Sequence, residues 1–152
     1  MRWEKFLVAL VIVFFAIVFQ VRLSGGGGAV VDVALAALVA CGAVLTVGEM
    51  ALLTVLAAWA LNWEPVFGWE IGVFIIVVTL ARLMRPFLPW QPWFSNLLAV
   101  GVAALCFNFL AAWPLPATDP VAFLTSWLGT IFVGAFVFQF LRVVFGRETG
   151  SR

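Results

Sequence analysis

Six apolar runs, their interiors nearly free of charge, divide the chain so that seven of its eight Lys and Arg residues fall on one side. The runs are approximately Phe6–Val21, Ala29–Val47, Glu49–Leu61, Ile71–Met84, Phe94–Trp113 and Val121–Val144. With the amino terminus inside, Arg2, Lys5, Arg82, Arg85, Arg142, Arg147 and Arg152 are cytoplasmic and Arg22 is outside. This is the positive-inside bias of a polytopic protein with both termini in the cytoplasm, and it makes Arg82, Arg85, Arg142 and Arg147 the topology anchors. The acids sort weakly the other way, with Asp32, Glu64, Glu70 and Asp119 at outer positions and Glu4, Glu49 and Glu148 at inner ones. A five-span division would put the basic carboxy-terminal tail outside, against the same rule.

Composition agrees. A chain of 152 residues that is 66% hydrophobic and 10% charged has too little polar side chain to cover a water-soluble fold. The expected class is therefore all-α integral membrane, a six-helix transmembrane bundle forming one domain over 1–146, with 147–152 a disordered cytoplasmic tail. Each crossing needs about 20 apolar residues, so six crossings consume nearly the whole chain. The third and fourth runs, at about 13 to 15 residues, are short for an untilted crossing and must borrow length from their flanks or sit partly buried in protein. Met1–Gly28 has the outline of a secretory signal, but five further spans follow it, which favours a retained helix.

Trp3, Trp63, Trp69, Trp90, Trp93 and Trp113 fall at or beside span ends, where an indole keeps its N–H wet and its ring in lipid. Trp59 and Trp127 sit deeper and are expected to pack inside. Cys41 and Cys106 each lie alone in an apolar run, which points to small packing residues and away from a disulfide or metal site. Gly25–Gly28 reads as a flexible outer linker, without the Lys-Ser/Thr that a phosphate loop would need downstream. The stretch from Ala29 to Leu61, 33 residues long, exceeds one span and predicts a tight helical hairpin at Gly48. Pro86, Pro89 and Pro92 with Trp90 and Trp93 predict a stiff inner connection.

The chain contains no His and no Tyr, which excludes His-based triads, His metal sites and the commonest general acid–base group. No catalytic constellation emerges, and no cofactor is implied. What remains is a set of polar side chains toward the outer helix ends: Gln20, Asp32, Asn62, Glu64, Glu70 and Asn108. Water reaches such groups at interface depth; alternatively they form an outward-facing pocket or a polar surface for a partner's helix. Asp32 and Asn108 lie furthest inside their runs. Asp32, Ala36, Ala40 and Ala43 share one helix face, which lets a neighbour approach closely and keeps Asp32 off lipid. Ser126, Thr130 and Gly134 form a similar stripe, and Gly68 and Gly72 another. Asn96 and Gln139 are expected to be hydrogen-bonded helix glue, and Arg82 and Arg85 to snorkel to lipid phosphate.

This order of features resembles the rod shape-determining MreD family. An amino-terminal helix ends in a polar residue, Gln20, and a second helix carries an early Asp, Asp32. After the Gly48 hairpin comes a helix with small residues (Ala51, Thr54, Ala57, Ala58) and a polar end, then Gly72 opens a helix that finishes in Arg82 and Arg85. The likeness covers about residues 10–86. Where family members commonly carry Asp at the end of the third helix, this chain has Asn62 and Glu64, and Val31 stands where Pro often precedes the second-helix Asp. The resemblance implies a non-enzymatic scaffold in the bacterial inner membrane. Its partners would be an MreC-like single-span protein and a peptidoglycan polymerase and transpeptidase pair, with no nucleic acid. The six-helix architecture is also similar to that of the substrate-capture subunits of energy-coupling-factor vitamin transporters. That alternative requires Asp32, Asn62 and Asn108 to line one cavity.

Overall fold

The computed structural model describes residues 3–24, 32–61, 68–88, 91–111 and 118–145, and among these the chain is helical without strands. The helices are α1 (Trp3–Ser24), α2 (Val33–Cys41), α3 (Val47–Leu61), α4 (Trp69–Met84), α5 (Pro92–Ala111) and α6 (Pro120–Phe145), with a 3-10 turn at Arg85–Phe87 between α4 and α5. Three of them, α1, α5 and α6, are long and apolar enough to cross a membrane.

The outer helices bury stripes at three- and four-residue spacing. In α1 the stripe is Phe6, Ala9, Val13 and Ala16, and in α6 it is Ser126, Thr130, Gly134, Phe138 and Leu141. Their opposite faces expose Phe, Leu and Val, as lipid-facing helices do. All nine residues of α2, by contrast, are buried. It packs against every other helix, while α1, α3, α4, α5 and α6 adjoin one another in that order around it. Between α1 and α6 lies an open apolar groove of about 510 Å³, lined by residues such as Leu7, Val11, Phe15, Phe136 and Phe140. At one end of the bundle the Lys5 ammonium stands 5.7 Å from the centre of the Phe145 ring, so the start of α1 and the end of α6 meet there.

The second apolar run does not become a long helix. Residues 29–31 lie outside the described part. The helix stops at Cys41, the backbone turns through Gly42–Leu45, and α3 begins at Val47. Nine residues rise about 14 Å, less than half of the hydrocarbon thickness of roughly 30 Å. The break therefore falls earlier than the hairpin expected at Gly48, and Gly48 lies in the first turn of α3. Two local causes are visible. Gly42 keeps the helix end compact, since a Cβ there would stand 3.2 Å from the Val39 carbonyl oxygen, with the Arg82 Cδ at ordinary contact distance, 3.4 Å. Thr46 and Glu49 form a reciprocal cap, in which the Glu49 N–H donates to Thr46 Oγ1 (3.4 Å) and the Thr46 N–H to Glu49 Oε2 (2.9 Å).

Trp127 is half-buried and donates its indole N–H to the Gly101 carbonyl at 2.9 Å, whereas Trp59, expected inside, is 73% exposed. Cys41 is buried as expected, but Cys106 faces outward from α5. Gly72 is exposed with open space around its Cα, so the Gly68 and Gly72 stripe meets no neighbour at that position. The Gly25–Gly28 linker, the tail at 147–152, and Pro89 and Trp90 of the inner connection lie outside the described residues.

Candidate functional site: the two ends of a buried short helix

A helix leaves its first N–H and last C=O groups without intrahelical partners, and in a dry interior these must be satisfied by something else. For α2 that requirement gathers much of the polar chemistry of the chain.

At its amino end, Asp32 is the N-cap and accepts from the Leu35 N–H at 3.1 Å through Oδ1. Gln20 of α1 accepts from the Ala34 N–H at 2.8 Å and also hydrogen-bonds the Asp32 side chain. The Asp32 N–H donates to Thr130 Oγ1 of α6 at 3.0 Å, and that hydroxyl donates onward to the Ser126 carbonyl at 2.8 Å. Three helices thus converge on one buried helix start, with an acid at the positive end of the helix dipole.

At the carboxy end the charge is reversed. Arg85 donates to the Val39 carbonyl at 3.3 Å and to the Asn96 side-chain oxygen. Asn96 passes the chain on to the Gly134 carbonyl of α6 at 3.4 Å. Arg82 donates to the Leu45 carbonyl in the turn at 3.2 Å. The Leu38, Ala40 and Cys41 carbonyls are met by the N–H groups of Gly42, Ala43 and Val44. Two guanidinium groups at the negative end complement the dipole as Asp32 does at the other.

Arg82 and Arg85 therefore do not extend to lipid phosphate as expected. Both turn inward because unpaired carbonyls of α2 and its turn lie within reach, and a multidentate guanidinium is suited to meet them. Arg142 is exposed in the last turn of α6, and Arg147 lies outside the described residues.

Of the outer polar set, the structure brings Gln20 and Asp32 together. Asn108 is buried but donates to the Ala104 carbonyl of its own helix at 2.8 Å, and it makes no hydrogen bond to the Asp32 cluster among the described residues. Asn62 and Glu64 lie outside the described part. Glu70 is exposed at the start of α4. Thr130, read from sequence as one of a small-residue stripe, turns out to carry a hydroxyl that the site uses. The pairing of Thr46 with Glu49 was legible in principle, since Thr-x-x-Glu before an apolar run is a capping signature. Among the described residues no group of three or more acidic, Cys or His side chains is placed to hold a metal ion.

Among the described residues, two polar clusters meet the ends of a short helix in an apolar bundle. No family model, no curated protein and no solved structure matches the chain.

Proposed function

We propose that this chain is a non-enzymatic membrane scaffold, an MreD-like subunit of the bacterial cell-elongation machinery. It would lie in the inner membrane as a six-helix bundle with both termini cytoplasmic and pack laterally against single-span and polytopic partners of peptidoglycan synthesis. The observation that carries this reading is the use made of the polar groups. Gln20, Asp32, Thr130, Arg85 and Asn96 are engaged in holding α2, so what the bundle offers its surroundings is apolar helix surface. Lateral packing by van der Waals contact is the interaction such a surface makes. The meeting of Lys5 with Phe145 supports placing both chain ends on one side, and the positive-inside bias supports making that side cytoplasmic. The ordered likeness over residues 10–86 supplies the specific assignment to cell elongation.

The test is affinity purification of the tagged protein from its own cells after membrane crosslinking, with mass spectrometry of what accompanies it. Recovery of an MreC-like single-span protein or a polymerase and transpeptidase pair supports the scaffold. Recovery of paired ATPases with a coupling membrane subunit replaces it with vitamin capture.

A further inference from the structure

The helices that ring α2 leave an opening between α1 and α6. The groove of about 510 Å³ lies there, walled by Leu7, Val11 and Phe15 on one side and Phe136 and Phe140 on the other. Charge fixes its depth. On α1 the charged residues are Glu4 and Lys5 at one end and Arg22 at the other, so Lys5 and Arg22 stand about 26 Å apart at roughly 1.5 Å per residue. That nearly matches the hydrocarbon thickness of about 30 Å. Arg142, exposed in the last turn of α6, lies at the Lys5 end. The wall from Leu7 to Phe15 is about 12 Å long, so it belongs to the leaflet on the Lys5 side, whose apolar depth is about 15 Å.

Size and charge decide what fits this groove. A helix about 10 Å across occupies roughly 900 Å³ over the same length, well above the 510 Å³ available, whether it belongs to a partner or to a second copy. A single acyl chain is far thinner, and it lies along the leaflet as the groove does. At the mouth the walls turn polar. Glu4 stands a turn before Leu7 and Val8 on the same face of α1. Lys5 faces α6, where its ammonium is 5.7 Å from the centre of the Phe145 ring. The groove thus ends in one carboxylate and one ammonium side by side.

A phospholipid with an ethanolamine head carries the matching pair of charges, a phosphate next to the glycerol and a primary ammonium beyond it. We propose that the groove between α1 and α6 is a phosphatidylethanolamine site. One acyl chain lies along Leu7, Val11, Phe15, Phe136 and Phe140, the phosphate meets the Lys5 ammonium, and the ethanolamine ammonium meets the Glu4 carboxylate. An ammonium has three donors, so Lys5 keeps its other contacts while donating to a phosphate. Glu4 is exposed and sets the choice of head. Phosphatidylglycerol offers it no cation, and the trimethylated head of phosphatidylcholine offers a cation without an N–H donor.

The full chain, purified in mild detergent, is titrated with phosphatidylethanolamine, phosphatidylglycerol and phosphatidylcholine of identical acyl chains, and bound lipid is counted by native mass spectrometry. One phosphatidylethanolamine is expected to bind about fivefold more tightly than either of the others, the upper range for an exposed ion pair. A photoactivatable phosphatidylethanolamine with a diazirine on its acyl chain should label residues 7–15 of α1 and 136–140 of α6. Glu4→Gln should bring the three lipids within about twofold of one another. Val11→Trp, which fills the groove at a residue 52% exposed, should lose the labelling. Both positions face outward, and an unchanged thermal midpoint shows that the variants fold. Equal binding of the three lipids by the wild type, or a preference untouched by Glu4→Gln, would overturn the proposal. So would labelling spread evenly over the exposed faces, which leaves the groove to a partner's helix, or a lipid-free two-chain species, which gives it to a second copy. No other protein is present, so the outcome is independent of the scaffold reading.

Discussion

α2 and α6 are both apolar helices, yet they occupy opposite environments. Every residue of α2 is buried among the other helices. Along α6 a single stripe from Ser126 to Leu141 is buried, and large side chains such as Phe132 and Val143 face outward. The difference lies in what each end can find. A long helix reaches the headgroup region, where water satisfies its terminal groups, so it needs only apolar sides. A nine-residue helix ends inside the bundle, and its orphan N–H and C=O groups must be met by side chains from elsewhere in the chain. A short buried helix is thus stable only with its caps, whereas a long lipid-facing one tolerates change over most of its surface.

Substitutions sharpen this contrast, and each is measurable as unfolding in mild detergent. The largest effect is expected at Gly134, where α6 meets α5. A Cβ there would stand 2.8 Å from both Cγ atoms of Val100, a β-branched residue with little rotamer freedom. Gly134→Leu should destabilise by at least 3 kcal/mol, the upper part of the usual range for overpacking; a shift under about 1 kcal/mol would mean that the helices part easily at this point.

Arg85→Leu comes next. It strips the Val39 carbonyl and Asn96 of their donor, for about 2–3 kcal/mol. Arg85→Lys should restore less than half of this, since an ammonium cannot reproduce the fork. Full recovery with Lys would show that charge alone holds the end of α2.

At the other end, Asp32→Ala removes the cap from the Leu35 N–H and should cost about 1–2 kcal/mol. Thr130→Val, which keeps the shape and deletes the acceptor of the Asp32 N–H, should cost about 1 kcal/mol. Both variants should still insert. Because the two groups share a hydrogen-bond cluster, the double variant is expected to lose less than the sum of the singles. Strict additivity would argue that the cluster is not a unit. Leu128→Ala on the outward face of α6, where Leu128 is 58% exposed, should stay within about 0.5 kcal/mol of wild type. A loss as large as that of Asp32→Ala would break the comparison, by showing that the lipid-facing side carries stability too.

How much of this was legible in the sequence varies with the range of the interactions. The ends of α1, α3, α4, α5 and α6 lie within a few residues of the apolar run boundaries, because hydropathy, Pro and charged residues act locally. Asp32 drew attention as the acid deepest in an apolar run, and its burial in a polar cluster follows the general rule for such groups. The early stop of α2 was not legible. Its hydropathy continues unbroken past Cys41, and the groups that receive its end, Arg82 and Arg85, lie 37 and 46 residues from the carbonyls they bond. Thr130 is 98 residues from Asp32, and in sequence it reads only as a small packing residue. The inward turn of the two arginines was hidden for the same reason, since a basic residue at a helix end has the same sequence signature whether it snorkels or caps.

Sequence alone determined the helical class, the apolar outer surface and the absence of His chemistry, because these depend on composition and on residues within a turn of one another. Tertiary structure decided which apolar run became the buried centre, where that run broke, and which polar side chains became its caps. Those outcomes depend on pairing backbone groups that have no local partner, and only the folded chain brings the donors and acceptors within 3 Å or so of each other.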